Sequence, residues 1–139
     1  MNISFHGGVN KIGGNKVFIE EDGRGVFLDF GKDYSSEGEF YEQPFLVPRE
    51  TKHLLALGLL PRQFAIYRQE KLANDKVSGV VISHPHTDHM DYIRFIDPSI
   101  PIIWPKSTSQ IVISREYTRV DPSTDYRIDL PPVFGPVIS

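Results

Sequence analysis

Cysteine is absent from the 139-residue sequence, which excludes disulfide frameworks and thiolate metal sites. Positive charge is not in excess either: 15 Lys and Arg against 18 Asp and Glu give a formal net charge of -3, which argues against binding nucleic acid through overall positive charge. No stretch approaches the roughly 18 apolar residues of a membrane span, and the N-terminus lacks the basic and apolar segments of a secretory signal. We therefore expect a soluble, cytoplasmic protein with no membrane partner.

The rest of the composition is that of an ordinary globular protein, with 40% hydrophobic and 24% charged residues. A chain of this length can bury about two-thirds of its unfolded surface, so it needs neither a disulfide nor a metal merely to be stable. We expect one domain over residues 1–139.

Short apolar runs separated by glycine fill the first thirty residues, a pattern typical of strands joined by tight turns. The β-branched and aromatic residues around Ile19 and Phe27 favour strands, and the Glu-Asp-Gly-Arg segment at residues 21–24 favours a hairpin turn between them.

Residues 32–76 carry prolines between apolar patches, and we expect an inserted helical or irregular segment there. A helix is predicted over residues 61–73, because Pro61 suits a first helical turn. Residues 20–42 hold eight acidic and two basic side chains, whereas residues 49–76 hold six basic and three acidic. Solvated surface is the plain interpretation of both stretches. The more specific interpretation is a lid or binding insert for an anionic substrate, in which Arg62, Arg68 and Lys71 would contact RNA.

Strands and helices alternate from residue 77 onwards. Residues 77–83 predict a strand covered on both faces, residues 90–96 a short helix, and residues 100–104 a second buried strand. Ser107 can cap a helix that runs to about residue 120. Because residues 111–113 are β-branched, a strand is the alternative prediction for this segment. The proline-rich tail, residues 121–139, predicts an irregular or edge segment. This order of elements places the chain in the α/β (α+β) class.

Three of the chain's five histidines and one carboxylate lie in the segment His-Pro-His-Thr-Asp-His at residues 84–89. Imidazole and carboxylate are ligands for zinc and related divalent ions. His84 and His86, two apart in an extended segment, point to the same side, whereas Asp88 and His89, adjacent at a helix start, are expected to diverge. The four side chains need not serve one ion, and two ions roughly 3.5 Å apart suit the pattern.

This segment resembles the His-x-His-x-Asp-His motif of the metallo-β-lactamase-fold hydrolases. Asp29, in Val-Phe-Leu-Asp-Phe-Gly at residues 26–31, is similar to the acidic residue that this superfamily carries at the end of an early strand. Gly7 and Gly8, with Ile-Gly-Gly-Asn at residues 12–15, resemble the opening of the ribonuclease J and β-CASP branch. A glycine-rich hairpin without a functional role is the alternative interpretation of that opening.

The resemblance implies the N-terminal half of an αββα sandwich, with a mixed β-sheet and flanking helices. It implies that His84 and His86 bind a first divalent metal and that Asp88 and His89 bind a second, with Asp88 as the candidate catalytic residue. Asp29 would hold the motif loop by hydrogen bonds, although a strand-end turn is the alternative role. Zn²⁺ is the first choice of metal, and Mn²⁺ or Fe is also compatible. The implied reaction is hydrolysis by activated water, with RNA or another phosphodiester as the substrate.

The family needs further ligands after the motif, yet no histidine follows His89. His6 and His53 lie upstream and match no family position, so surface or structural roles are expected for both. We therefore expect an N-terminal fragment or a natural half of a hydrolase, with weak metal binding and little activity alone. The alternatives are a hydrolase of small esters, thioesters or lactams, and a non-catalytic binding module. Because a half-domain leaves apolar surface uncovered, we also expect self-association or packing against a C-terminal half.

Overall fold

The computed structural model describes residues 1–42, 46, 48, 50–68 and 74–118, without the side chains of 113 and 115–118. None of the helices in these ranges is long and apolar enough to cross a membrane. The elements in chain order are β1 (Asn2–Phe5), β2 (Val17–Glu21), β3 (Arg24–Leu28), α1 (Tyr34–Phe40), α2 (Thr51–Ala56), β4 (Val77–Val81), α3 (Thr87–Met90), a 3-10 helix (Asp91–Phe95), β5 (Ile102–Ile103) and α4 (Lys106–Thr118).

The strands form one mixed sheet in the order β1-β2-β3-β4-β5. β1, β2 and β3 are antiparallel neighbours, whereas β3, β4 and β5 run parallel. Parallel neighbours require crossover connections; the first crossover contains α1 and α2, and the second contains α3 and the 3-10 helix. The prediction of an α+β fold with a mixed sheet and flanking helices is confirmed.

The β2–β3 connection is the hairpin turn that the sequence predicts. Asp22 and Gly23 both adopt positive φ, 51° and 81°. Two such residues in succession match the right-handed twist of the strands that they join, and an Asp-Gly pair adopts this conformation readily. Pairing of Glu21 with Arg24 closes the turn and fixes the register of the hairpin.

One face of the sheet packs into the hydrophobic core. Phe18, Phe27, Val80 and Ile102 lie side by side on four adjacent strands and are buried. Residues of the first crossover cover them, among them Phe64, whose ring lies 4.7 Å from that of Phe18 and 4.8 Å from that of Phe27, centroid to centroid. This aromatic cluster anchors the crossover to the sheet.

The opposite face of the sheet is apolar but uncovered within the described residues. Phe5 is 63% exposed and Ile3 is 53% exposed, and Leu28 is also exposed. Half-buried residues complete the face: Val17, Ile19, Val26, Val81 and Ile103. Self-association, or packing against a C-terminal half, stays a prediction that this face motivates.

The predicted helix over residues 61–73 is wrong in its described part, residues 61–68, which form turns and an isolated bridge between Tyr67 and Ile96. The main chain of this segment forms hydrogen bonds with residues 95–97: Arg68 N donates to Phe95 O at 2.9 Å, and Asp97 N donates to Ile66 O at 2.7 Å. These tertiary bonds satisfy the backbone without a helix. The remaining part of that prediction, residues 69–73, lies outside the described residues.

The other predicted elements differ from the structure in extent. The strand at residues 77–83 ends at Val81 and is not covered on both faces, because Ser78 is exposed and Val81 is half-buried. The short helix begins earlier than predicted, at Thr87, and continues as the 3-10 helix. α4 shows that residues 111–113 are helical, and the tail at residues 121–139 lies outside the described residues.

Candidate metal centre

The motif lies where two parallel strands end at the same edge of the sheet. β3 ends at Leu28 and β4 at Val81, and these two residues are nearest the end of the β3–β4 ladder. The residues that follow each strand, Asp29 on one side and Ser83 on the other, are therefore brought into contact. The main chain then passes through His84 and His86 and enters α3.

His84 and His86 form a close pair. The Nε2 atom of His84 lies 3.2 Å from the Nδ1 atom of His86, and the ring centroids are 4.6 Å apart. The other nitrogen of His84, Nδ1, lies 2.8 Å from Ser83 Oγ, which holds the ring orientation. Both imidazoles are therefore turned toward one point, as expected for residues two apart in an extended segment.

Asp88 and His89 form a second pair, and the expectation that they diverge is wrong. His89 Nε2 lies 3.4 Å from Asp88 Oδ2. Asn15 Nδ2 lies 3.2 Å from the same His89 nitrogen. The two pairs are adjacent, because the ring centroids of His84 and His89 are 4.0 Å apart.

Asp29 connects the strand end to both sides of the motif loop. Its Oδ1 accepts a hydrogen bond from Ser83 N at 2.7 Å, and its Oδ2 lies 2.9 Å from Ser83 Oγ and 2.7 Å from His89 Nδ1. The main chain at Asp29 has a positive φ of 58°, a conformation that Asp tolerates better than most residues. The carboxylate accepts a hydrogen bond from His89 Nδ1–H and leaves Nε2 directed at Asp88.

Main-chain hydrogen bonds join the motif loop to the loop after β3 and to the glycine-rich segment. Phe30 N donates to His89 O at 2.7 Å, and Lys32 N donates to Thr87 O at 3.0 Å. Asn15 donates to Asp88 O from both its main-chain N and its Nδ2, each at 3.2 Å. Three separate segments therefore form one rigid support for the four candidate ligands.

Gly31 permits this close packing. A Cβ atom added at Gly31 would lie 1.6 Å from Asp88 O and 2.7 Å from His89 N, both main-chain atoms. Sequence reasoning did not assign roles to Gly31, Ser83 or Asn15. The signal for Asn15 was present in the Ile-Gly-Gly-Asn run, whereas nothing in the sequence distinguishes Ser83 from other serines.

Lys16 is a buried amine that contacts this support. Its Nζ donates to Gly31 O at 2.8 Å and to Gly14 O at 3.3 Å, and it lies 5.0 Å from the ring centroid of Tyr92. Burial lowers the pKa of Lys16 to about 7, with Asp33 opposing this shift and Lys11 adding to it.

The arginines of the basic insert hold main-chain carbonyls. Arg62 donates to Leu55 O at 2.8 Å and to Ala56 O at 3.2 Å, where α2 ends. Arg68 Nε donates to Ile96 O at 3.2 Å. These contacts give both side chains a structural role; Lys71, the third residue suggested for RNA, lies outside the described residues.

The spacing within each pair fits a shared divalent ion. Two ligands bonded to Zn²⁺ at 2.0–2.1 Å with tetrahedral angles lie about 3.3 Å apart. The observed separations are 3.2 Å for His84 and His86 and 3.4 Å for Asp88 and His89. Within residues 1–42, 46, 48, 50–68 and 74–118, however, no three His, Asp or Glu side chains are grouped so as to hold one ion. Each pair therefore offers two ligands and leaves the remaining coordination positions open.

The two remaining histidines lie elsewhere. His6 lies between Ser4 Oγ, 2.9 Å from its Nε2, and Gln63 Nε2, 3.0 Å from its Nδ1. Its ring packs edge-on against Phe64 at 5.1 Å between centroids, and burial lowers its pKa. His53 is exposed on α2.

Comparison with known proteins gives partial relationships. No family model matches the chain. The ribonuclease J proteins of Helicobacter pylori strains 26695, B128 and J99 are each 30% identical over 84 residues, which is 60% of this chain and 10% of theirs. A protein of unknown function from Enterococcus faecalis V583 has a solved structure that superposes with a TM-score of 0.62 and 25% identity, covering 84% of this chain and 28% of that one. The chain thus spans about a tenth of the length of the ribonucleases that it matches, and its fold recurs within a larger protein.

Proposed function

We propose that the chain binds divalent metal through His84, His86, Asp88 and His89 and is the metal-binding part of a nuclease-type hydrolase of the metallo-β-lactamase fold. The observation that carries this proposal is the adjacency of two ligand pairs, each spaced as two ligands of one Zn²⁺ ion would be. In the first pair two ring nitrogens face one another, and in the second a ring nitrogen faces a carboxylate oxygen, which are ligand atoms that a divalent cation binds.

The chain's own residues would prepare the site for hydrolysis. Asp29 fixes the orientation of the His89 ring, Ser83 fixes that of His84, and Asn15 holds the main chain of Asp88. A divalent cation held by these residues would supply Lewis acidity for the ionisation of water and for the charge that develops on a phosphoryl oxygen. Asp88, whose Oδ2 lies 3.4 Å from His89 Nε2, is the side chain that we propose would accept a proton from the attacking water.

RNA, or another phosphodiester, is the substrate class that we propose. The similarity to ribonuclease J supports it, although the match covers only a tenth of those proteins. The glycine-rich segment supports it as well, because it resembles the opening of the ribonuclease J and β-CASP branch and its Asn15 contacts the motif.

Metal content measured on chain purified without chelator tests the proposal. We expect weak binding of one or two ions per chain, lost in the double variant His84→Ala, His86→Ala and retained in the matched variant His53→Ala, whose imidazole is exposed on α2. Single-stranded RNA incubated with the metal-loaded chain then tests hydrolysis. Unchanged metal content in the double variant would overturn the assignment of the ligands.

A second candidate is a non-catalytic module that binds metal or RNA without hydrolysis. It is favoured by one observation: within the described ranges neither pair is joined by a third ligand. Bound metal that the double variant loses, together with no cleavage of RNA at stoichiometric concentration, would select this candidate. Metal-dependent cleavage would exclude it.

A further inference from the structure

Ser83 lies between the Asp29 carboxylate and the first ligand pair. Its Oγ donates a hydrogen bond to Asp29 Oδ2 at 2.9 Å and lies 2.8 Å from His84 Nδ1. Its main-chain N donates to the other carboxylate oxygen, Oδ1, at 2.7 Å. Asp29 Oδ2 also lies 2.7 Å from His89 Nδ1. One carboxylate oxygen therefore contacts the second pair directly and the first pair through a hydroxyl group.

The number of hydrogens in these contacts decides which nitrogen of His84 is protonated. A carboxylate only accepts hydrogen bonds, and a serine hydroxyl has a single hydrogen to donate. That hydrogen is directed at Asp29, because a bond to a charged acceptor is about twice as strong as a neutral one. Ser83 Oγ therefore accepts from His84, so that Nδ1 carries the proton of the neutral ring. The unprotonated Nε2 then faces His86 Nδ1, 3.2 Å away.

His89 has the same tautomer for an independent reason. Its Nδ1–H donates to Asp29 Oδ2, and its Nε2 lies 3.2 Å from Asn15 Nδ2. That amide nitrogen is a donor, since it also bonds to Asp88 O, and His89 Nε2 must accept from it. The two tautomers thus place one unprotonated Nε2 atom in each candidate ligand pair.

We propose that Ser83 is a positioning residue whose hydroxyl group transmits the effect of the Asp29 carboxylate to His84 and keeps His84 Nε2 unprotonated for a divalent cation. This inference rests on the proposed function, which it extends by making one carboxylate responsible for the tautomer of a ligand in each pair. A His84 ring in the other tautomer would direct an N–H group at the cation and would have to move its proton before binding.

Nuclear magnetic resonance of the metal-free chain in EDTA tests this inference without hydrolysis. Long-range ¹H–¹⁵N spectra at about pH 8.5, above the range in which imidazole ordinarily titrates, distinguish protonated from unprotonated ring nitrogens. The variant His84→Ala identifies the signals of His84 among those of the five histidines. In the unmodified chain the proton of His84 should lie on Nδ1.

Ser83→Ala should move this proton toward Nε2, the nitrogen that carries it in most free histidine side chains. The main-chain bond from residue 83 to Asp29 Oδ1 is retained in this variant, so the loop stays attached to the strand end. Ser83→Thr keeps a hydroxyl group and should keep the proton on Nδ1. These two variants separate the effect of the hydroxyl group from that of side-chain size.

Asp29→Asn tests whether the carboxylate acts on His84 through Ser83. An amide can donate to Ser83 Oγ and release the hydroxyl hydrogen toward His84, so the proton of His84 should again move toward Nε2. Ser99→Ala is the matched control. It removes a hydroxyl group that donates to a different carboxylate, Asp97 Oδ1, at 2.6 Å, and should leave the His84 signals unchanged.

Competition with a chromogenic chelator provides the second readout. Ser83→Ala should bind Zn²⁺ about tenfold more weakly than the unmodified chain, and Ser83→Thr should stay within about twofold of it. A proton on His84 Nε2 in the unmodified chain, a proton that stays on Nδ1 in Ser83→Ala, or an equal, measurable Zn²⁺ affinity for Ser83→Ala and the unmodified chain would each overturn the inference. A chain that binds no Zn²⁺ would count against the proposed function, whereas the metal-free spectrum still decides which nitrogen Ser83 protects.

Discussion

Asp29 Oδ2 and His89 Nδ1 lie 2.7 Å apart although 60 residues separate them in the sequence. The contact exists because β3 and β4 are parallel neighbours whose carboxyl ends share an edge. It fixes which nitrogen of His89 carries the proton, and therefore which nitrogen can bind a metal.

Replacing Asp29 with Asn should lower the affinity for Zn²⁺ by about 10- to 100-fold, because the amide no longer holds His89 as a carboxylate does. Competition with a chromogenic chelator measures this affinity. Asp97→Asn is the matched control, because Asp97 also accepts bonds from a nearby serine, Ser99 N at 2.9 Å and Ser99 Oγ at 2.6 Å. Equal Zn²⁺ affinities for the two variants would show that Asp29 does not orient a ligand.

Gly31→Ala should lower the free energy of unfolding by about 3 kcal/mol, because the new methyl group would overlap the main chain of Asp88. The overlap can be relieved only if the backbone shifts. Urea denaturation provides the measurement. Gly38→Ala is the matched control: a Cβ there meets nothing within 4 Å, and alanine in a helix should raise the free energy of unfolding by up to about 1 kcal/mol. Similar stabilities for the two variants would contradict the packing described here.

Stability should increase as the pH rises from 7 to 9. Burial lowers the pKa of Lys16 to about 7, so in this range the unfolded chain binds a proton that the folded chain has released. The free energy of unfolding should therefore rise by about 2 kcal/mol over these two pH units. Thermal or urea unfolding at several pH values measures the slope.

Lys16→Met should abolish most of that slope, whatever its effect on stability at one pH. Lys52→Met is the control, because Lys52 is exposed beside Glu50 and should leave the slope unchanged. Identical slopes in the two variants would mean that Lys16 does not change its protonation on unfolding.

Tyr92→Phe should cost about 1 to 3 kcal/mol, because it removes the hydrogen bond that the phenol donates to buried Glu37 Oε2 at 2.6 Å. Burial, and then the neighbouring Glu37 carboxylate, raise the pKa of Tyr92 above its ordinary value. The tyrosinate absorbance that develops below about pH 11 should therefore be the same with and without Tyr92. A smaller amplitude in the variant would show that the phenol ionises with the exposed tyrosines.

The sequence predicts those features that depend on neighbouring residues. The hairpin turn at Asp22 and Gly23 follows from local backbone preferences and is confirmed. The orientation of His84 and His86 follows from the two-residue repeat of extended chain. Metal binding by the motif stays a prediction.

Features set by distant parts of the chain could not be predicted in this way. Residues 61–68 lack a helix because Arg68 and Ile66 bond to the segment at residues 95–97. The approach of Asp88 to His89 depends on Asp29 and Asn15, which hold the ring and the main chain from two other segments. No local pattern encodes such contacts, since each is created by the sheet topology.

The absence of a side chain at Gly31 also limits how this protein can change over evolutionary time. Every single-nucleotide missense change of a glycine codon introduces a residue with a Cβ atom, and at this position that atom would lie 1.6 Å from Asp88 O. No route of small, nearly neutral steps therefore leads away from glycine here unless the loop that carries Asp88 and His89 shifts at the same time. The backbone of the candidate metal centre and this one codon can vary only together.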